Sequence, residues 1–275
     1  MPDALAFPPL MRPTLERPLS GLTVLVVEDS RLACEALRLL CQHSGARLRR
    51  ADSLAAAYRH LRVYRPDVLI VDLGLPDGPG EQLIAGLARL PSRPSAILGM
   101  SGDPLAGPVA LAAGADGFLD KPLPGLQDFQ RILLALLPEQ ALQLGPRPAK
   151  PEPVLAPDPI ALRDDLAMAE DILTGHPDDA TQDYVSRFLS GVARTAQDGQ
   201  LEAAAASLRA RETLPASVPP DARERALGQV RRLVQDRLAK GNPLWTAARY
   251  DPAAVLAKGN GLDRDPAQGA APPPG

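Results

Sequence analysis

The sequence predicts an α/β domain, a doubly wound five-stranded parallel sheet, followed by a separate small all-α helical bundle. Three observations carry this. Between residues 23 and 137 short apolar runs alternate with segments of helical period, making five successive strand–helix repeats. The runs TVLVV and VLIV are apolar at every position, the pattern of strands covered by helices on both faces. Beyond a proline-rich stretch, LGPRPAKPEPVLAPDP, only helical periodicity remains.

Strands are expected at residues 23–27, 47–50, 68–71, 95–100 and 116–119, with helices at 32–44, 53–64, 80–90, 108–113 and 126–137. The second strand, RLRRA, alternates poorly and suits a sheet edge. The expected organisation is a flexible extension over 1–21, the α/β domain over 22–138, a linker over 139–157, a helical domain over 158–250 and a disordered tail over 251–275. In the helical part, Asp158 caps a helix opened by Pro159 that carries Leu162, Leu166, Ala169 and Leu173, and Gly175 closes it before Pro177 begins the next. That next helix stacks Tyr184, Val185, Phe188, Leu189 and Val192. A third is expected over 201–212 and a fourth over 221–240, with Leu227, Val230, Leu233 and Val234 on one face.

Composition excludes more than it selects. The 275 residues carry a net charge of −3, so no global field draws the chain to nucleic acid or anionic lipid. Aromatics are only 3% of residues, which leaves Leu, Val, Ile and Ala to build the core. Cys34 and Cys41 lie on one helical face two turns apart, too far to bridge, and read as reduced core thiols. The first 20 residues lack a continuous apolar stretch and are broken by prolines, so neither a secretory signal nor a membrane anchor is expected, and the location expected is cytoplasmic.

The chemistry gathers at strand ends. The first strand runs into Glu28 and Asp29, the third into Asp72, and in a doubly wound sheet these strands are neighbours at the switch point where ligands bind. Adjacent carboxylates repel, and a divalent cation relieves that repulsion; an all-oxygen site with room for water suits magnesium. The fourth strand ends in Met100, Ser101 and Gly102, the fifth in GFLDKP with Lys121. A carboxylate nucleophile, a cation, a hydroxyl and an ammonium around one hollow are the parts that move a phosphoryl group, with Asp72 as acceptor.

Taken in order, VEDS, DLGLPDGPG, MSG and AGADGFLDKP resemble the receiver domain of bacterial two-component response regulators, over about residues 22–138. The resemblance implies a flavodoxin-like fold and a phosphoprotein: Asp72 takes a phosphoryl group from a phosphohistidine on a sensor histidine kinase or phosphotransfer protein. It further implies that Asp29, Asp72 and the Gly74 carbonyl hold Mg2+, with Glu28 acting through water. Ser101 and Lys121 hold the phosphoryl oxygens, and Phe118 is the aromatic switch. Phe118 stands where tyrosine is commoner, so this switch lacks a hydroxyl. No separate enzymatic activity is expected beyond the receiver's own phosphorylation and dephosphorylation.

For the C-terminal helices the leading expectation is a protein-interaction module, a second copy of the chain among its partners. Arg223, Arg225, Arg231, Arg232, Arg237 and Lys240 on the fourth of these helices offer a DNA-binding alternative, though acids are interleaved with them. A third reading is a phosphate sink. His176, between Gly175 and Pro177, sits in a turn and is unsuited to a phosphotransfer histidine.

Overall fold

The computed structural model describes residues 13–137, 158–175, 177–209 and 221–240. Strands β1 (Thr23–Val27), β2 (Arg47–Ala51), β3 (Val68–Asp72), β6 (Ala96–Ser101) and β7 (Gly117–Asp120) form one parallel sheet in the order β2-β1-β3-β6-β7. A two-residue ladder, β4 (Gly74–Leu75) with β5 (Gly78–Pro79), folds the loop after β3 back on itself. Helices α1 (Arg31–Ser44) and α5 (Leu126–Leu136) cover one face, and α2 (Leu54–Val63), α3 (Gly80–Ala88) and α4 (Ala106–Ala112) the other.

The strand pleat explains why the central runs are apolar throughout. Val24, Val26, Val68, Ile70, Leu98 and Met100 point to α1 and α5, where Leu37, Leu40, Phe129 and Leu133 meet them. Their neighbours Leu25, Val27, Leu69, Val71 and Ile97 point to the opposite face, against Ala57, Leu83, Ile84 and Ala110. β2 is an edge strand, as its polar sequence suggests.

Helix ends follow their capping chemistry. Ser30 accepts from Ala33 N at 3.0 Å to start α1, and Gly45 ends it at φ 88°, where its bare Cα also makes room for Ser20. Ser53 caps α2, and Asp77 accepts from Leu54 N and Ala55 N, which ties the loop after β3 to that helix. Among the boundaries that differ from expectation, two helix starts have a plain cause. α4 starts at Ala106 rather than 108, because Pro108 falls in the first turn, where a missing N–H breaks no hydrogen bond. The helix expected to open at Pro177 begins at Asp179, because the Asp178 carboxylate accepts from Thr181 N at 2.9 Å and fixes the start there.

The expected flexible extension over 1–21 needs correction for its described part. Leu19 is fully buried in the core and its N–H donates to Ser44 O at 2.9 Å. A single leucine among prolines has no periodicity to betray it. Residues 1–12, the whole expected linker over 139–157, the end of the expected helical domain over 241–250 and the tail lie outside the described residues, as does His176.

Helices α6 (Pro159–Thr174), α7 (Asp179–Thr195), α8 (Gly199–Arg209) and α9 (Asp221–Lys240) form the bundle, α7 packing on α8 and α6 on α7 and α9. The expected stripe of α6 is buried in full, as are Val185, Phe188, Leu189 and Val192 of α7. Asp198, in the turn before α8, takes Arg237 of α9 at 2.8 Å; burial works to raise its pKa, but the guanidinium and the Leu201 and Gln200 amides outweigh it and hold it low. One of the arginines of the DNA-binding alternative is therefore engaged within the bundle. The bundle does not stand apart: the described residues up to Lys240 belong to one compact unit, with α6 and α7 against α1. Among the described residues no helix is long and apolar enough to cross a membrane.

Candidate functional site

Parallel register places the strand ends that carry the candidate residues side by side. Val27 lies opposite Val71, so Glu28 and Asp29 emerge next to Asp72, while Asp72 lies opposite Met100 and Ser101 opposite Asp120. Oxygens of Glu28, Asp29 and Asp72 come within 4.8 Å of one another. Lys121 Nζ bridges two of these acids, 2.7 Å from Glu28 Oε2 and 2.9 Å from Asp72 Oδ2. Asp72 Oδ1 accepts from Gly74 N at 3.2 Å, and Glu28 Oε1 from Ser30 N at 3.0 Å.

One ammonium faces three buried carboxylates, and burial together with this imbalance sets the direction of the pKa shifts of Glu28 and Asp29. Burial raises the pKa of Glu28 well above the ordinary range, helped by the charges of Asp72 and Asp29 and opposed by Lys121. Burial and the charge of Asp72 push Asp29 up to about 6, against the hydrogen bond from Tyr184. Burial alone would lower Lys121, but Asp72 and Glu28 override it and raise its pKa. Asp29 Oδ1 is buried with no hydrogen-bond partner. A buried carboxylate oxygen left without a donor, in a cluster short of positive charge, fits a divalent cation.

Ser101 and Gly74 line the same cavity as Glu28, Asp72 and Lys121, and Ser101 Oγ accepts from Asp103 N at 3.1 Å. The structure therefore brings together Glu28, Asp29, Asp72, Gly74, Ser101 and Lys121. Phe118 is set apart: it does not line the cavity, and its ring packs against the bare Cα atoms of Gly99 in β6 and Gly107 in α4. Gly80 has the tightest fit, since a Cβ there would lie 2.0 Å from Asp72 O. The glycine eight residues after Asp72 lets α3 start against the backbone that carries that acid.

Sequence reasoning missed the residues contributed by the bundle. Tyr184 Oη donates to Asp29 Oδ2 at 2.5 Å. Arg187, Phe188, Ser190, Gly191 and Val192 of α7 line the cavity, and Asp165 of α6 accepts from Ser30 Oγ, Arg31 N and Leu32 N at the start of α1. The one available signal was weak. On α7 the small residues Ser186, Ser190, Gly191 and Ala193 accompany the apolar stripe, enough to let a second surface approach closely.

Residues 24–133 match the response regulator receiver domain, which places such a domain in the N-terminal part of the chain. The KDP operon transcriptional regulatory protein KdpE of Escherichia coli (strain K12) is 33% identical over 125 residues, covering 46% of this chain and 55% of that protein. The transcriptional regulatory protein KdpE of Mycobacterium tuberculosis (strain CDC 1551 / Oshkosh) is 36% identical over 112 residues, covering 41% of this chain and 49% of its own length. The chain thus spans about half the length of the curated relatives it matches. Among solved structures, a putative response regulator from Chloroflexus aurantiacus J-10-fl aligns with 30% identity and a TM-score of 0.40, over 42% of this chain and 96% of its own.

Proposed function

We propose that the chain is a response regulator of a two-component phosphorelay, phosphorylated on Asp72 by a histidine kinase or phosphotransfer protein in the cytoplasm. The observation that supports this most is the position of Asp72, its carboxylate held by Lys121 at 2.9 Å inside a three-acid cluster with a hydroxyl, Ser101, on the same cavity. In the transfer, an Asp72 oxygen attacks phosphorus, the phosphorus–nitrogen bond of the donor breaks, and its electron pair returns to the imidazole, which takes up a proton. Lys121 compensates charge on the phosphoryl oxygens and Ser101 donates its hydroxyl to one of them. Glu28, Asp29, Asp72 and the Gly74 carbonyl would hold Mg2+, which supplies charge neutralisation for the transferred group. The receiver itself speeds gain and loss of the acyl phosphate; the message leaves through a conformational change that draws in Ser101 and Phe118 and is read by protein contacts of the helical module.

The test is mass spectrometry of the full chain after treatment with acetyl phosphate and Mg2+. The wild type gains one phosphoryl group, mapped to the peptide holding Asp72, and Asp72→Asn stays at background. Label retained in the variant would place the acceptor elsewhere.

A further inference from the structure

Helix α7 is buried on more of its circumference than a bundle helix needs. Every residue from Val185 to Ala193 is buried except Arg187, whereas a helix packed only in a bundle keeps a polar face in water. The second covered flank lies on the receiver, over the acids. Tyr184 bonds Asp29, Arg194 donates to Gly102 O, and Gly191 sits so close to Lys121 that a Cβ there would be 3.8 Å from Nζ. A Cβ on Gly102 would lie 3.2 Å from Gly191 Cα, and one on Gly74 3.9 Å from Arg187 Cβ.

A second tether lies one helix away. The amides that open α1 have no partner within their own helix, and Asp165 takes two of them, Arg31 N at 2.8 Å and Leu32 N at 3.1 Å, together with Ser30 Oγ at 2.7 Å. Asp164 adds an exposed pair with Arg31. The result is a cavity of about 280 Å³ with Asp72, Ser101 and Lys121 on one side and Arg187, Phe188 and Gly191 on the other. In-line transfer to Asp72 requires the leaving group to point away from the carboxylate and out of the pocket. A cavity of that size holds a phosphoryl group but not a protein domain carrying one.

We propose that the helical module is an intramolecular lid on the acceptor site. α7 stands where a protein phosphodonor has to lie, so donor and lid exclude each other and the chain accepts phosphate only after α6 and α7 leave the receiver. This rests on the reading of Asp72 as acceptor. The uptake rate is then scaled by the fraction of open molecules, and weakening a tether raises that fraction.

The experiment follows labelling of the full chain with Mg2+ from a phosphohistidine domain charged by its own kinase, in the wild type and in Asp165→Ala, with acetyl phosphate run beside it as a donor small enough for the cavity and hydrogen exchange at Arg31 and Leu32 measured alongside. The lid predicts labelling from the protein donor at least about tenfold faster in the variant and faster exchange at both amides. A locked form gives the converse. The 3.9 Å separation at Gly74 and Arg187 suits a disulfide, and Cys34 and Cys41 are buried and do not compete with it. In Gly74→Cys/Arg187→Cys, oxidation should slow labelling from the protein donor at least about tenfold relative to the reduced form of the same protein. Equal rates from that donor in wild type and Asp165→Ala, or in the oxidised and reduced pair, overturn the lid while leaving Asp72 as acceptor. Absence of label from every form with either donor overturns the acceptor reading, and the lid with it.

Discussion

Replacing Lys121 with methionine destabilises the folded chain by about 3–5 kcal/mol in metal-free buffer, the cost of leaving a buried charge without its partner. The side chain is 5% exposed and its ammonium is shared between Glu28 and Asp72, which are 0% and 7% exposed. Methionine keeps most of the stem and so preserves packing against Gly191, which makes the loss electrostatic rather than steric. Without the ammonium the cluster holds three carboxylates and no cation, and part of the penalty is relieved as Glu28, whose pKa burial already raises, takes up a proton. Millimolar Mg2+ therefore restores part of the lost stability in the variant, more than it adds to the wild type. Urea denaturation with and without Mg2+ reads both effects. A loss below about 1 kcal/mol would mean that Lys121 is not the neutralising charge of the cluster.

Gly80→Ala has the second large effect, although it removes no charged or polar group. One methyl group would overlap the Asp72 carbonyl oxygen at 2.0 Å and approach Asp72 C and Val71 Cγ1 at 2.9 Å, so the backbone of β3 or the start of α3 has to move. Overpacking against backbone costs about 3 kcal/mol, since neither neighbour is a flexible side-chain end. The displacement falls on Asp72, the proposed acceptor, and a shift of roughly 1 Å there is expected to slow transfer about a hundredfold. Thermal unfolding and the labelling rate are the two readouts. Full-rate labelling in Gly80→Ala would show that Asp72 is not held by this contact.

The receiver was legible because its residues answer to local rules. Short apolar runs and period-3.6 patterns located five strands and five helices, and the strand ends announced their chemistry because four of them, taken in order, supply matching groups. Leu19 escaped because one buried residue in a proline-spaced segment carries no period. The docking of α6 and α7 escaped for a different reason. Asp165 looks like a surface acid on a helix and Tyr184 like the polar edge of an amphipathic stripe, and each acquires its role only from a partner about 135 or 155 residues away in sequence. Periodicity tells which face of a helix is apolar; it does not tell which surface will bury the other face.

The most direct test of the proposed acceptor pocket is fluorine NMR of the full chain with beryllofluoride, which mimics the acyl phosphate without turning over. The account predicts bound fluorine resonances that appear only when Mg2+ is present and vanish in Asp72→Asn. Bound resonances that survive Asp72→Asn, or that form equally well without Mg2+, would contradict it.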